Sequence, residues 1–183
     1  MTTIAIVGDG PGGLSAALFL AKAGHQVTVY GQNKTVMNFA YLHNYLGAPD
    51  ISGTDFQTAA RAQVAAQGAQ LVDAEVTAVA TTDGGFQVTT ESGTADADYL
   101  ILSEGKGAPL SESLSLDTDG ERVVVDRDGR TSHAGVYVIG RSARPERSQA
   151  IISAGDGAAA ALDILSTIEG KDVQDWDSPP KDD

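Results

Sequence analysis

Thr3-Ile4-Ala5-Ile6-Val7-Gly8-Asp9-Gly10-Pro11-Gly12-Gly13-Leu14 opens the chain with an apolar run that breaks into four closely spaced glycines. Thr3–Val7 reads as a strand buried on both faces. Leu14 to Ala23 reads as an Ala/Leu-rich helix, with Gly24 as its left-handed stop. Gln26-Val27-Thr28-Val29-Tyr30 reads as a second strand. Strand, glycine turn, helix and strand form the unit from which doubly wound parallel sheets are built. The pattern Gly8-x-Gly10-x-x-Gly13 lies between the strand and the helix, the context that gives it weight. Gly8 permits a tight turn, Gly10 lets backbone approach a pyrophosphate, and Gly13 lets the helix pack on the strand. The free N–H groups at the helix start carry roughly half a positive charge and suit phosphate. A glycine turn that holds nothing is the alternative, and the placement favours a dinucleotide.

Beyond the second strand the pattern loosens. Residues 31–53 are irregular, and a helix is expected from Thr54 to about Gln67, stopped by Gly68. Gln70 to Ala80 and Phe86 to Thr90 are expected strands joined by the turn Asp83-Gly84-Gly85. Tyr99 to Ser103 is a further apolar strand, after which Glu104 to Asp119 dissolves into Gly, Ser, Pro and Asp. Arg122 to Asp126 and Val136 to Ile139 are the last expected strands, and a helix from about Gln149 to Glu169 follows. The expected fold is α/β: a parallel sheet with helices plus a small antiparallel β piece. Residues 1–170 form one domain, and 171–183, with Pro179-Pro180 and five Asp, form a frayed acidic tail.

Composition narrows the chemistry. The 183 residues contain no cysteine, so this chain holds no disulfide, thiolate metal ligand or CxxC pair of its own. Its 25 acidic residues against 12 basic ones give a net charge of −13, unfavourable for nucleic acid and anionic lipid. No apolar run approaches the roughly 18–20 residues of a membrane span, and the first residues lack the basic start of a signal peptide. A cytoplasmic protein is expected. Eighteen of the acids are Asp and only five of the bases are Lys, a balance suited to a salt-rich interior. There the Debye length is about 3 Å at ~1 M salt and self-repulsion fades.

Four ordered stretches resemble one family. Gly8-Asp9-Gly10-Pro11-Gly12-Gly13-Leu14-Ser15-Ala16-Ala17 is similar to the FAD-binding opening of the thioredoxin reductases, within the pyridine nucleotide-disulfide oxidoreductases. His43-Asn44-Tyr45-Leu46-Gly47 with Ile51-Ser52-Gly53 resembles their ENYPG…ISG segment. Leu100-Ile101-Leu102-Ser103-Glu104-Gly105 stands where they carry a strand running into ATG. Gly135 to Gly140 and Ser148 to Gly157 resemble the closing GVFAAGD…RQAxxSAGDG. The resemblance implies an FAD domain from which the NADPH-binding insert, ordinarily placed near residues 104–119, is missing.

Carried over residue by residue, the resemblance assigns the pyrophosphate to the loop of Gly8, Gly10, Pro11, Gly12 and Gly13. It assigns adenine to backbone near Val76, and the flavin ring to Asn44 and the helix start at Gln149 and Ala150. A helix N-terminus there suits the negative charge of a reduced flavin. Two departures stand out. The acidic residue expected at the end of the second strand, which binds ribose, is absent from Tyr30-Gly31-Gln32-Asn33, leaving Gln32 or Asn33 as neutral substitutes. After Gly140, Arg141 replaces the Asp of the GD motif. Arg141, Arg144 and Arg147 form a basic cluster that could pair with the pyrophosphate, dock an anionic partner, or merely offset nearby Asp.

Of the three histidines, scattered and unsuited to a metal site, only His43 is a candidate proton donor. Tyr41 and Tyr45 are expected at the flavin face or in the core. Asp9 is expected to cap N–H groups close by. The expected function is an FAD-binding oxidoreductase without thiol-disulfide chemistry, its electrons drawn from a small reductant or a redox protein partner. A homodimer is an expected assembly. A non-catalytic nucleotide or flavin sensor is the competing expectation.

Overall fold

The structure, a computed structural model, describes residues 1–178. In chain order the elements are β1 (Thr3–Val7), α1 (Pro11–Lys22), β2 (Gln26–Tyr30), β3 (Tyr41–Leu42), β4 (Ile51–Ser52) and α2 (Gly53–Ala66). Next come β5 (Gln70–Val72), β6 (Val76–Thr82), β7 (Gly85–Thr90), β8 (Gly93–Ala97) and β9 (Tyr99–Leu102). The chain continues with α3 (Pro109–Ser113), β10 (Thr118–Asp119), β11 (Arg122–Val123), β12 (Val136–Val138) and α4 (Ala150–Glu169).

Five strands form a wholly parallel sheet in the order β12-β9-β1-β2-β5. Side chains alternate along each strand, and both faces are covered, so neither face can be polar. Ile4, Ile6, Ile101 and Tyr137 face one side, packed with Leu14, Ala17 and Leu20 of α1 and with Ala160, Ala161 and Ile164 of α4. Ala5, Val7, Leu100, Leu102, Val136 and Val138 face the other. There they meet Val79, Phe86 and Val88 of a three-stranded antiparallel sheet, β6-β7-β8. The molecule is layered helix, parallel sheet, antiparallel sheet.

Several boundaries differ from the sequence reading. The expected strand from Gln70 to Ala80 is two: β5 extends the parallel sheet, and Asp73-Ala74-Glu75 carries the chain across to β6 in the antiparallel layer. β8 was not expected, and Gly93-Thr94-Ala95-Asp96-Ala97 is mostly exposed and lacks the bulky residues of a typical strand. The stretch 104–119 holds a short helix, α3, and strand β10. The expected strand 122–126 shrinks to Arg122–Val123, paired only with β10. α1 begins at Pro11, three residues earlier than expected, because a proline at the first helical position loses no hydrogen bond. Gly24 does close it, at φ +84°.

The tail also differs from its expected frayed state. Val173 packs against the helix-side core and its N–H donates to Ser166 Oγ at 3.0 Å. Lys22 on α1 bonds Asp175 at 3.0 Å and Asp177 at 2.6 Å. Residues 179–183 of the tail lie outside the described residues. α4, with 20 residues and an 18-residue window of mean hydropathy 1.4, is the one helix among the described residues long and apolar enough to cross a membrane. Asp156 and Asp163 interrupt it, so it is not the uninterrupted apolar run that the sequence was expected to lack. Its stripe of Ala160, Ala161, Ile164 and Leu165 is buried in the core.

Candidate functional site

A cleft of about 460 Å³ opens at the carboxyl ends of β1, β2 and β9. Its size is within the roughly 300–1,000 Å³ of small-molecule and cofactor sites. The position is where open parallel sheets bind ligands, because the chain departs to opposite sides of the sheet there.

The glycine loop forms one wall. Gly8 turns at φ +103°, and its N–H donates to the carbonyl of Tyr30 at 2.8 Å. Gly8, Gly10, Pro11 and Gly12 line the cleft. Gly13 does not. It sits beneath the loop, where any Cβ would be driven into the Gly8 carbonyl and to 3.2 Å from the Ile6 side chain, so it serves packing. No side chain caps α1, and its first residues face the cleft.

Gln32 and Val76 line a second corner, together with Lys34 and Glu75. Lys34 donates to Gln32 Oε1 at 2.8 Å. Asn33 is not part of the cleft wall. Its backbone N–H instead donates to Asp9 Oδ2 at 3.0 Å. Asp9 itself is buried and forms an ion pair with Arg61 of α2, while Gln57 of α2 donates to the Asp9 carbonyl. Asp9 therefore reaches strand end and helix, and its side chain caps no N–H of its own loop among the described residues. Gln57 and Arg61 stand one helical turn apart and both grip the loop. Nothing in a single sequence announces such a pairing, 52 residues apart along the chain.

The third region is formed by Gly140, Arg141, Gln149 and Ala150. α4, like α1, starts here with no side-chain cap. Arg141 has no hydrogen-bond or ion-pair partner among the described residues. Its two companions differ: Arg144 is paired with Asp156 at 2.9 Å, and Arg147 makes only a long contact with the Glu146 carbonyl. The three arginines are not one functional cluster, and Arg141 alone lines the cleft. Asn44 lies outside the cleft wall but donates to Gln149 Oε1 at 3.1 Å, which ties its segment to the start of α4. His43 is exposed and paired with Asp50 at 2.9 Å, away from the lining residues. Tyr45 stacks on Phe56 and Tyr41 on His43, so neither lines the cleft.

Glu104 is a lining residue that the sequence reading passed over. It follows β9, and its carboxylate accepts from Leu110 N at 2.9 Å, Ser111 N at 3.2 Å and Ser111 Oγ at 3.0 Å. Burial pushes the carboxyl up from its ordinary value, and these hydrogen bonds offset only part of that. A raised folded value means the neutral acid is favoured on folding. The stability it contributes is complete below the unfolded value and is lost as pH rises through the folded value. Glu104→Gln is expected to remove that decline: urea unfolding across the mildly acidic range gives a flatter pH profile than the wild type. An identical profile would show that burial does not govern this carboxyl.

Glycine loop, topological switch point and two helix starts at one cleft define the doubly wound nucleotide-binding class of fold. Residues 2–49 and 47–157 match the family model for pyridine nucleotide-disulphide oxidoreductase, and the chain belongs to that family. It is 30% identical over 171 residues to the ferredoxin–NADP reductase of Levilactobacillus brevis, covering 86% of this chain and 47% of that protein. It is 29% identical over 173 residues to the thioredoxin reductase of Spironucleus barkhanus, covering 92% and 54%. The chain thus spans about half the length of the curated relatives it matches. Among solved structures, the thioredoxin reductase of Gloeobacter violaceus superposes with a TM-score of 0.87 at 17% identity, the alignment spanning 96% of this chain and 99% of that one. The atypical thioredoxin reductase TRi of Desulfovibrio vulgaris Hildenborough gives 0.84 at 20%, spanning 93% and 99%. At these identities the superpositions establish the fold.

Proposed function

We propose that this chain binds FAD in the cleft and acts as a flavoprotein oxidoreductase. One observation carries the reading. Two long helices, α1 and α4, begin uncapped at the same cleft, with Arg141 unpaired beside them. The open N–H groups of both helix starts and the guanidinium favour an anionic group at this end of the cleft.

The residues present fit the cofactor. Gly10 and Gly12 leave their amides open to a diphosphate. A Cβ on Gly12 would already crowd Ser103 Oγ at 3.2 Å and the Ser153 carbonyl at 3.1 Å. Arg141 supplies a guanidinium where the resemblance expects an aspartate, and its planar fork suits phosphate oxygens. Gln149 and Ala150 present the start of α4 to the ring, and Asn44 holds Gln149 in place. When bound, the flavin supplies one- and two-electron transfer. The chain's part is to bind it, orient it and set the potential around it.

With no cysteine in this chain, thiol-disulfide exchange would fall to another molecule. The direct link from β9 through α3 to β10 supports an FAD domain without a nicotinamide-binding insert. Electrons then come from a small reductant or a redox protein partner. A second reading, a flavin or nucleotide sensor without catalysis, draws on Arg141 in place of aspartate. Both are tested together. Purified protein is mixed with FAD, desalted, and its visible absorption recorded before and after adding reductants of graded size, with an acceptor present. Retained FAD that turns over supports the enzyme, retained FAD without turnover supports the sensor, and a colourless protein overturns both.

The charge balance supports operation in a salt-rich cytoplasm. Moving from low salt to molar KCl is expected to raise the melting temperature, because screening removes the mutual repulsion of a −13 surface. A melting temperature indifferent to KCl would remove that reading.

A further inference from the structure

We propose that Asp9 supplies the ribose-binding carboxylate of the cleft, in place of the acidic residue that dinucleotide folds ordinarily carry at the end of the second strand. The proposal rests on the dinucleotide reading above and names the group that recognises its adenosine half.

The end of β2, Tyr30-Gly31-Gln32-Asn33, has no acid. The space its side chain would fill is nonetheless occupied by one. A Cβ built on Gly31 would stand 2.6 Å from the Asp9 Cβ and 2.7 Å from Asp9 Oδ1. The two positions are mutually exclusive: a carboxylate from the loop at residue 9 requires glycine at residue 31. The acid stands at position 9 of the sequence, and its side chain fills the space beside Gly31 at the end of β2.

Its hydrogen bonds leave one oxygen for a ligand. Oδ2 is engaged by the Asn33 N–H at 3.0 Å and by Arg61. Oδ1 has no donor among the described residues. Asp9 lines the cleft, and Oδ1 is not among the sealed, unpartnered side-chain atoms, which are His25 Nδ1, Asn38 Oδ1 and Gln57 Oε1. A bare carboxylate beside a diphosphate would repel it, but Arg61 neutralises the charge while Oδ1 stays a directional acceptor. Gln57 and Arg61 act as positioning residues, one holding the Asp9 carbonyl and the other its carboxylate. Glu75 is another carboxylate on this corner, but it is exposed and makes no hydrogen bond among the described residues.

The ligand this selects is an adenosine diphosphate group with free ribose hydroxyls. A phosphate on the ribose would meet the carboxylate and be rejected. The experiment measures dissociation constants of 5′-ADP, 2′-deoxy-ADP, 3′-deoxy-ADP and 2′,5′-ADP by calorimetry. The proteins are the wild type, Asp9→Ala, Glu75→Gln and Gly31→Ala, whose methyl displaces the carboxyl. In the wild type at least one deoxy analogue is expected to bind about tenfold more weakly than 5′-ADP, the loss of a charge-assisted hydrogen bond, and 2′,5′-ADP more weakly still. Asp9→Ala and Gly31→Ala should bring the deoxy ratio near one, and Glu75→Gln should leave it unchanged. Equal binding of 5′-ADP and both deoxy analogues by the wild type overturns the assignment, whether or not the variants fold. So does a ratio that Glu75→Gln abolishes and Asp9→Ala does not. Failure of 5′-ADP to bind at all strikes the dinucleotide reading itself, a result distinguishable from the first two.

Discussion

Gly157→Val is expected to cost the fold about 3 kcal/mol, the upper part of the usual range for overpacking. At roughly 2–4 °C per kcal/mol for a chain of this length, the melting temperature falls by about 6–12 °C. The cause lies where α4 crosses α1. A Cβ on Gly157 would be forced into the Gly12 carbonyl and would stand 3.0 Å from the Ala16 amide nitrogen, both of them backbone atoms. Neither can rotate away, so the helices must part. Gly12 is also in the cleft wall, so the same variant should bind FAD poorly even at temperatures where it is folded. Gly155, two residues earlier in the same helix, provides the control. A Cβ there meets nothing within 4 Å, and Gly155→Ala should stabilise by about 0.5–1 kcal/mol through helix propensity alone. If the two variants melt alike, close packing of α1 on α4 does not hold this fold together.

The second large effect is on affinity. Arg141→Ala should weaken FAD binding by about 10- to 100-fold, the range expected when a charged hydrogen bond to phosphate is removed. The apoprotein melting temperature should hardly change, because Arg141 has no partner among the described residues to lose. Arg144→Ala should behave in the opposite manner, since its partner Asp156 is mostly buried and loses its counter-charge. Fluorescence titration of FAD against each variant, alongside thermal melts without cofactor, separates the two. Unchanged affinity in Arg141→Ala would remove that residue from the diphosphate.

The parallel sheet was legible because its strands are buried on both faces and therefore written as continuous apolar runs, Thr3–Val7 and Tyr99–Leu102 above all. The loop between β1 and α1 was legible for a related reason: its glycines are required by neighbours a few residues away. The antiparallel layer was less so. β6 follows β5 with only three residues between, and local pattern does not reveal that the chain changes sheets at Asp73-Ala74-Glu75. β8 escaped because its residues are small and exposed, and only pairing with β7 makes it a strand.

In the cleft, sequence placed the helix starts and Arg141, yet it missed Glu104 and misjudged the reach of Asp9. Both carboxylates take their roles from partners on other elements: Ser111 on α3 for one, Arg61 on α2 for the other. His43 shows the converse. Its position in a recognisable segment suggested chemistry, while its actual neighbour is a surface aspartate.

The contact of α1 with α4 has a mechanical consequence. Where backbone lies directly on backbone, at Gly12 and Gly157, there is no cushion of side chains to slide or compress. The rim is built differently: the chain after β2 turns at Asn33, and between β9 and α3 it turns at Gly105, Gly107 and Ala108. The doorway to this cleft is made of loops, and its floor of backbone laid on backbone.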